Sequence, residues 1–400
     1  MKKYYLIVTA LAAAGMAPAQ AGTLDQGNLS VTGFGTLGVA RSDTDEVQFA
    51  RYNQAVGVRK TPRIGLDSNL GLQASYQFSD SLSGTAQLLT RKNTSPEFTT
   101  DLTWAFLRLK VNDEFAVRAG RIGLPVFMIT DYQNVGYANT MMRPPIELYG
   151  QDPVESIDGA DFTYQRAVGD TNVTLQGFAG VSSGKLFVTV GAKYRAPSYG
   201  FAVTAERGPV TVRLAHMSAS LTSHEIGPLN GLVSALTASG FAQLGRDFEL
   251  IDKRVNFTAA GLTTDWNNIV LQAEYARRRP QSPVQVPPVN AWYLMGGYRI
   301  GKVLPYYAHA DYRNAGSAIS VPAALGKFPP LAAAVAGFLA PVEQSSNLVG
   351  VRWDFAQSVA LKVQADRVHP RKKTGSLTSP RTGAAVSDVT VIGASLDFVF

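Results

Sequence analysis

Gly33 to Gly38 reads GFGTLG, the G-x-G-x-x-G spacing that elsewhere lets backbone N–H groups approach a pyrophosphate. That chemistry needs a strand before the glycines, a helix after them and an acidic residue about 20 positions further on. Here ARSDTDE follows and no amphipathic helix begins. Leu29, Val31, Gly33, Gly35, Leu37 and Val39 instead share one face of an alternating segment, with Ser30, Thr32 and Thr36 on the other. The glycines therefore lie inside a strand, where Gly permits curvature or the close approach of a neighbour.

Acid–base or nucleophilic chemistry would have to draw on four histidines, His216, His224, His309 and His369. His309 has Asp311 on the same strand face, but residues two apart on a strand are separated by about 7 Å and no serine motif accompanies them. Cys is 0, which removes thiolate chemistry and a disulfide framework, and the histidines lack metal-ligand spacing. Neither a cofactor nor a metal is expected, and the sequence reads as that of a non-enzyme.

The remaining chemistry is electrostatic. The long connection 123–157 carries Asp131, Glu147, Asp152 and Glu155 together with Tyr132, Tyr137 and Tyr149. Long connections without regular structure are commonly functional.

The elements that must position these groups are strands. In TVIGASLDFVF, the C-terminal segment, Ile392, Ala394, Leu396, Phe398 and Phe400 alternate with Gly393, Ser395 and Asp397, a period of two. The same rhythm recurs along the chain, as in Val349/Val351/Trp353/Phe355 against Gly350/Arg352/Asp354 and Tyr306/Ala308/Ala310/Tyr312 against His309/Asp311/Arg313. Very short turns, such as Ser79-Asp80, Gly208-Pro209 and Gln357-Ser358, alternate with long irregular connections. This predicts about 16 strands, near 28–42, 63–78, 81–91, 99–111, 114–122, 158–166, 172–180, 199–207, 209–218, 252–265, 267–278, 290–300, 303–313, 346–355, 358–368 and 388–400. Residues 181–198 fit either a loop excursion or an extra strand pair. Helical spacing occurs at Leu229/Leu232/Val233/Leu236 and in the run Leu331 to Ala340, both in long loops and read as short helices packed over one end.

Strands of about 10 residues suit a tilted bilayer crossing. Phe78, Tyr164, Tyr298, Tyr306, Trp353, Phe355 and Phe398 are assigned to the apolar face near short turns, as an interfacial girdle requires. A soluble β-sandwich also alternates, but it would have to bury those tyrosines. The chain opens MKKYYLIVTALAAAGMAPAQA, with Lys2 and Lys3 before an apolar run and Ala19-Gln20-Ala21 as a cleavage signal, so residues 1–21 are expected to be a signal peptide and 22–400 one transmembrane antiparallel β-barrel. The 37 Lys+Arg against 30 Asp+Glu form no long run and do not suggest nucleic-acid binding.

In such a barrel, charges turn inward to avoid hydrocarbon. The parity places Arg108, Lys110, Arg118, Arg213 and Arg254 on the inner wall, with Arg278, Arg299, Arg313, Arg352 and Lys362. Inward acids are Asp161, Glu206, Glu274, Asp311, Asp366 and Asp397. Within 123–157, Asp131 and Glu147 are the foremost candidates to face this wall across a transverse field, and the basic excess suggests a weak anion preference.

The export signal, the alternating strands and the terminal DFVF together resemble Gram-negative outer-membrane porins over essentially the whole mature chain. VGYANTMMRPPIELYGQ, Val135 to Gln151, followed by DGADFTYQ, is similar to the third loop and sixth strand of a porin family. The resemblance implies a homotrimer of 16-stranded barrels in the outer membrane, with its lipid and lipopolysaccharide as neighbours and the third loop constricting each lumen. It also implies assembly machinery that reads Phe400. The function expected is passive diffusion of ions and small hydrophilic solutes. The alternatives are a barrel acting through its surface loops in recognition or adhesion, and a barrel hydrolase.

Overall fold

The computed structural model describes residues 24–51, 53–151, 155–186, 192–281, 286–316, 319–372, 377 and 387–400. Sixteen long strands follow one another: β1 (Leu29–Ser42), β2 (Asn69–Gln77), β3 (Leu82–Lys92), β4 (Phe98–Lys110), β5 (Phe115–Gly123), β6 (Ser156–Val168), β7 (Thr171–Leu186) and β8 (Ala192–Arg207). The second half comprises β9 (Val210–Leu221), β10 (Lys253–Trp266), β11 (Ile269–Pro280), β12 (Val289–Tyr298), β13 (Val303–Asn314), β14 (Glu343–Ala356), β15 (Val359–Lys372) and β16 (Val389–Val399). Each pairs antiparallel with the next, and β16 pairs with β1 through Leu396↔Leu37 and Phe398↔Gly35. The ring is closed, so no edge strand is left with unpaired backbone groups. A short stretch, Leu24–Gln26, folds back on β1, and Phe400 exchanges backbone hydrogen bonds with Gly33 at 2.7 and 2.9 Å.

Period-two alternation becomes two faces. Leu37, Leu72, Leu107, Phe201, Leu214, Leu294 and Val349 are exposed on the outside. The GFGTLG glycines are explained by this packing: a Cβ at Gly33 would enter the ring of Phe400, and one at Gly35 the ring of Phe398. Short turns join strands at one end, where Gly208 and Gly301 hold φ of +55° and +60°, a conformation with little cost only for glycine.

Two strand expectations change. The second strand begins at Asn69, because residues 63–68 turn inward and Ser68 bonds both the N–H and the C=O of Gly38, at 2.9 and 3.1 Å. Residues 181–198 add no strand pair; β7 and β8 run on through that stretch as one tall hairpin, with 187–191 outside the described residues.

At the long-loop end, α1 (Gly227–Ala238), α2 (Ala242–Phe248) and α3 (Pro329–Leu339) carry the two helical patterns. Leu229, Leu232, Leu236, Phe248 and Val335 pack together with Tyr194, Leu221 and Val255 at the ends of β8, β9 and β10. No helix among the described residues is long and apolar enough to cross a membrane. The largest buried cluster lies between the loop after β5 and the inner faces of β10 to β14, where Phe127, Met141 and Leu148 meet Phe257, Tyr293, Met295, Leu304, Ala308 and Leu348.

Candidate functional site

The loop between β5 and β6 is the third long connection. It contains single turns at Thr130–Tyr132 and Gly136–Ala138 and a short helix at Ile146–Tyr149. Such a loop leaves many carbonyls without partners, and buried carbonyls need donors. The inner wall supplies them as cations. Lys362 donates to the carbonyls of Gly136 and Asn139 at 2.7 and 2.6 Å, and its Nζ lies 3.0 Å from Asp397. Arg352 donates to the carbonyls of Tyr137 and Asn139 at 2.8 and 2.9 Å while also bonding Asp354. Arg213 reaches the Pro125 carbonyl at 2.9 Å, and Arg278 the Gln151 carbonyl.

Traffic runs the other way as well. Arg143 of the loop pairs with Asp67 at 2.8 Å and with Asp366 of β15. Glu147 is buried and accepts from Gln344 Nε2 at 2.6 Å and from the hydroxyl of Ser346. The Tyr149 hydroxyl donates to Glu274 at 2.7 Å and lies 3.0 Å from the Tyr293 hydroxyl; burial, then Glu274, raises its pKa above the ordinary phenol value. Tyr306 Oη accepts from the Met142 N–H at 3.1 Å and donates to Gln364.

The sequence-assigned residues therefore separate into two sets. Glu147 lies in the seam between loop and wall, as do Arg213, Arg278, Arg352 and Lys362, and Tyr149 belongs to both sides, bonded to Glu274 and also lining the cavity on the opposite side of the loop. Asp131, Tyr132 and Glu155 line a cavity of about 480 Å³ on the opposite side of the loop, together with Arg51, Arg91, Asp101 and Trp104. Glu155 is ion-paired to Arg91. Burial raises the pKa of Asp131, against the pull of Arg213 and Arg118. Asp152 lies outside the described residues, as does the expected signal peptide 1–21. On the wall beyond the loop, Arg118 is held by Asp161 through Nε at 2.9 Å, while Arg108 makes no hydrogen bond or ion pair among the described residues. Lys110 and Arg299 sit at short turns, paired with Asp113 at 2.6 Å and Asp265 at 2.8 Å.

Parity assignments are corrected on two strands. On β13 the faces are reversed: Trp292↔Asp311 and Leu294↔His309 put His309, Asp311 and Arg313 outside, while Tyr306 leaves the expected girdle and turns inward to the loop. On β10, Ser220↔Arg254 puts Arg254 outside, with Val255 and Phe257 inside. The cause is common to all: an inner wall covered by a packed loop is as apolar as an outer wall, so alternation reveals two faces without saying which is which. Sequence reading also missed Arg143, the only basic residue in Val135 to Gln151, and Arg51, whose signal was its place in the long first loop.

Residues 7–324 match the family model described as Gram-negative porin. The chain belongs to that family. No curated protein matches it. Among solved structures, this porin is similar to in-vitro folded OmpT of Vibrio cholerae in its trimer form, with 13% identity, 93% of this chain and 99% of that one covered, and a TM-score of 0.55. It is also similar to the anion-selective porin from Comamonas acidovorans (13% identity, 93% and 100% covered, TM-score 0.54) and to Salmonella typhi OmpF in complex with daunomycin (13%, 93% and 97%, 0.54). At such identities the likeness is one of fold: a closed 16-stranded antiparallel barrel. As a Gram-negative porin the chain is an outer-membrane channel.

Proposed function

We propose that this porin conducts ions and small hydrophilic solutes passively, with no covalent step, through the space between its third loop and the β1 to β5 side of the wall. The loop sets the size limit. One observation carries this reading: Arg143 pairs with Asp366, and Arg213, Arg278, Arg352 and Lys362 donate to loop carbonyls, so the loop is held against the β9 to β16 side and the open cavity lies on its other flank.

That flank carries Arg51, Arg91, Lys92, Arg121 and Lys185 against Asp101, Asp131 and Glu155. A lining with excess positive charge favours anions without holding them tightly, as conduction requires. The anion-selective porin among the similar structures agrees with this direction. Export through a cleaved leader at 1–21, assembly as a homotrimer guided by Phe400, and an outer-membrane setting that includes lipopolysaccharide complete the proposal. Single-channel recording in a planar bilayer tests it. Ohmic steps with a reversal potential on the anion side of zero under a salt gradient are expected; a silent, correctly folded barrel would favour recognition through the surface loops.

A further inference from the structure

The two flanks of the cavity are unlike each other. The first loop and the ends of β3 and β7 give it cations, Arg51, Lys92 and Lys185. The third loop gives it apolar surface, with Tyr132, Val135, Ile146 and Tyr149 each half-buried. Trp104 of β4, opposite Gln87, adds an indole from the wall. Small hydrophilic solutes need no apolar flank, and apolar surface left uncovered in a groove is a mark of a ligand site.

The rings are held in place. Phe127 meets Tyr149 edge-on with 5.1 Å between centroids, and the Tyr149 hydroxyl is fastened to Glu274 at 2.7 Å. A Cβ at Gly123 would stand 3.3 Å from Trp104 Nε1, so the end of β5 steadies the indole. The charges opposite are less committed. The Arg51 guanidinium has no hydrogen bond or ion pair among the described residues, and the buried Nε of Arg91 has no acceptor. The carboxylates of the same cavity are engaged: Glu155 by Arg91, Asp101 by Asn93 Nδ2 at 2.6 Å, and Asp131 by the field of Arg213 and Arg118. An entering anion therefore meets open positive charge on one side and aromatic rings on the other. The volume of about 480 Å³ falls among those of small-molecule sites, about 300–1,000 Å³.

We propose that this cavity is a weak transit site for aromatic carboxylates, with Arg51 taking the carboxylate and Trp104, Tyr132 and Tyr149 the ring. A guanidinium matches a carboxylate through paired N–H donors. Aromatic rings add offset or edge-on contacts that a saturated ring of the same size does not make. The inference rests on the conducting path proposed above.

The test uses the full-length porin in a planar bilayer carrying chloride current at neutral pH, with benzoate or, separately, cyclohexanecarboxylate added. The two anions share one charge and one ring size and differ in aromaticity. Benzoate is expected to halve the chloride current at a concentration roughly two- to tenfold lower than cyclohexanecarboxylate does. Trp104→Leu and Tyr132→Leu should bring that ratio toward one, whereas Arg51→Gln should weaken block by both anions and leave the ratio in place. The wild-type ratio needs no variant, so it remains a test even where a substitution impairs folding. Equal block by the two anions in wild type overturns the proposal. So does a preference for benzoate that survives in both Trp104→Leu and Tyr132→Leu, or block that Arg51→Gln leaves unchanged. Chloride steps with equal block would overturn this inference alone and leave the channel reading standing; a barrel with no chloride steps would overturn both.

Discussion

Arg143 and Asp67 meet in a two-point ion pair, Nε to Oδ1 and Nη2 to Oδ2 at 2.8 Å each, with both side chains almost fully buried. Asp366 closes on the guanidinium from β15. One residue of the third loop thus ties the first loop to the barrel wall. Breaking a buried pair by removing one partner strands the other charge and costs about 3–5 kcal/mol. Arg143→Ala is therefore expected to free the middle of the loop, raising single-channel conductance and adding flicker while the strand signal in circular dichroism persists. Unaltered conductance would mean that the loop is held without this clamp.

Selectivity should respond differently to cations that hold the loop and cations that face water. The Arg51 guanidinium lines the cavity without a hydrogen bond or ion pair among the described residues, and burial lowers its pKa from the ordinary guanidinium value. Arg352, with two loop carbonyls and Asp354, is already engaged. Removing a charge about 8 to 10 Å from a passing ion, at the screening of physiological salt, is worth roughly 0.5–1 kcal/mol. Arg51→Ala should lower the anion-to-cation permeability ratio about two- to fivefold, measured by reversal potential. Arg352→Gln should change conductance more than selectivity; the opposite ranking would place the open path on the β14 side.

Acid should sharpen any anion preference. Burial raises the pKa of the Asp131 carboxyl, so on acidification it takes up a proton at a higher pH than an ordinary aspartate does. Each protonation removes a negative charge from the cavity lining. The permeability ratio is expected to rise toward anions as pH falls through a window above the usual aspartate value, and Asp131→Asn should show the acid-side ratio at neutral pH with that step absent. A pH profile identical in wild type and Asp131→Asn would take Asp131 off the conducting path.

The sequence made the barrel legible because one rule, alternation between two environments, was repeated in every strand. Leu396 opposite Leu37, or Trp353 opposite Val303, needs no knowledge of the partner strand to be placed on a face. The inner wall was less legible where the loop covers it. Tyr306, Ala308 and Ala310 look like lipid-facing residues, yet they pack beneath Met141 and Met142, and so His309, Asp311 and Arg313 were turned the wrong way. The roles of inward cations were not readable at all. Lys362 and Arg352 satisfy carbonyls brought to them by a loop more than 200 positions away, and nothing local to either residue encodes that meeting.

The meeting of the chain ends on β1 gives a final test of how the barrel closes. Phe400 bonds Gly33 through both backbone groups, and its ring, stacked 6.3 Å from that of Phe398, occupies the space a Cβ at Gly33 would need. Gly33→Ala must displace that ring, a kind of overpacking that costs about 1–3 kcal/mol. Phe400→Ala loses the ring's contacts but empties the same space. The two changes share one volume, so their effects on the unfolding temperature of the purified barrel should not add: the double variant is expected to be more stable than the sum of the single losses predicts, with a coupling of roughly 0.5–3 kcal/mol. If the losses add, the Phe400 ring does not rest on Gly33, and the glycines of GFGTLG need a different explanation, such as local curvature of β1.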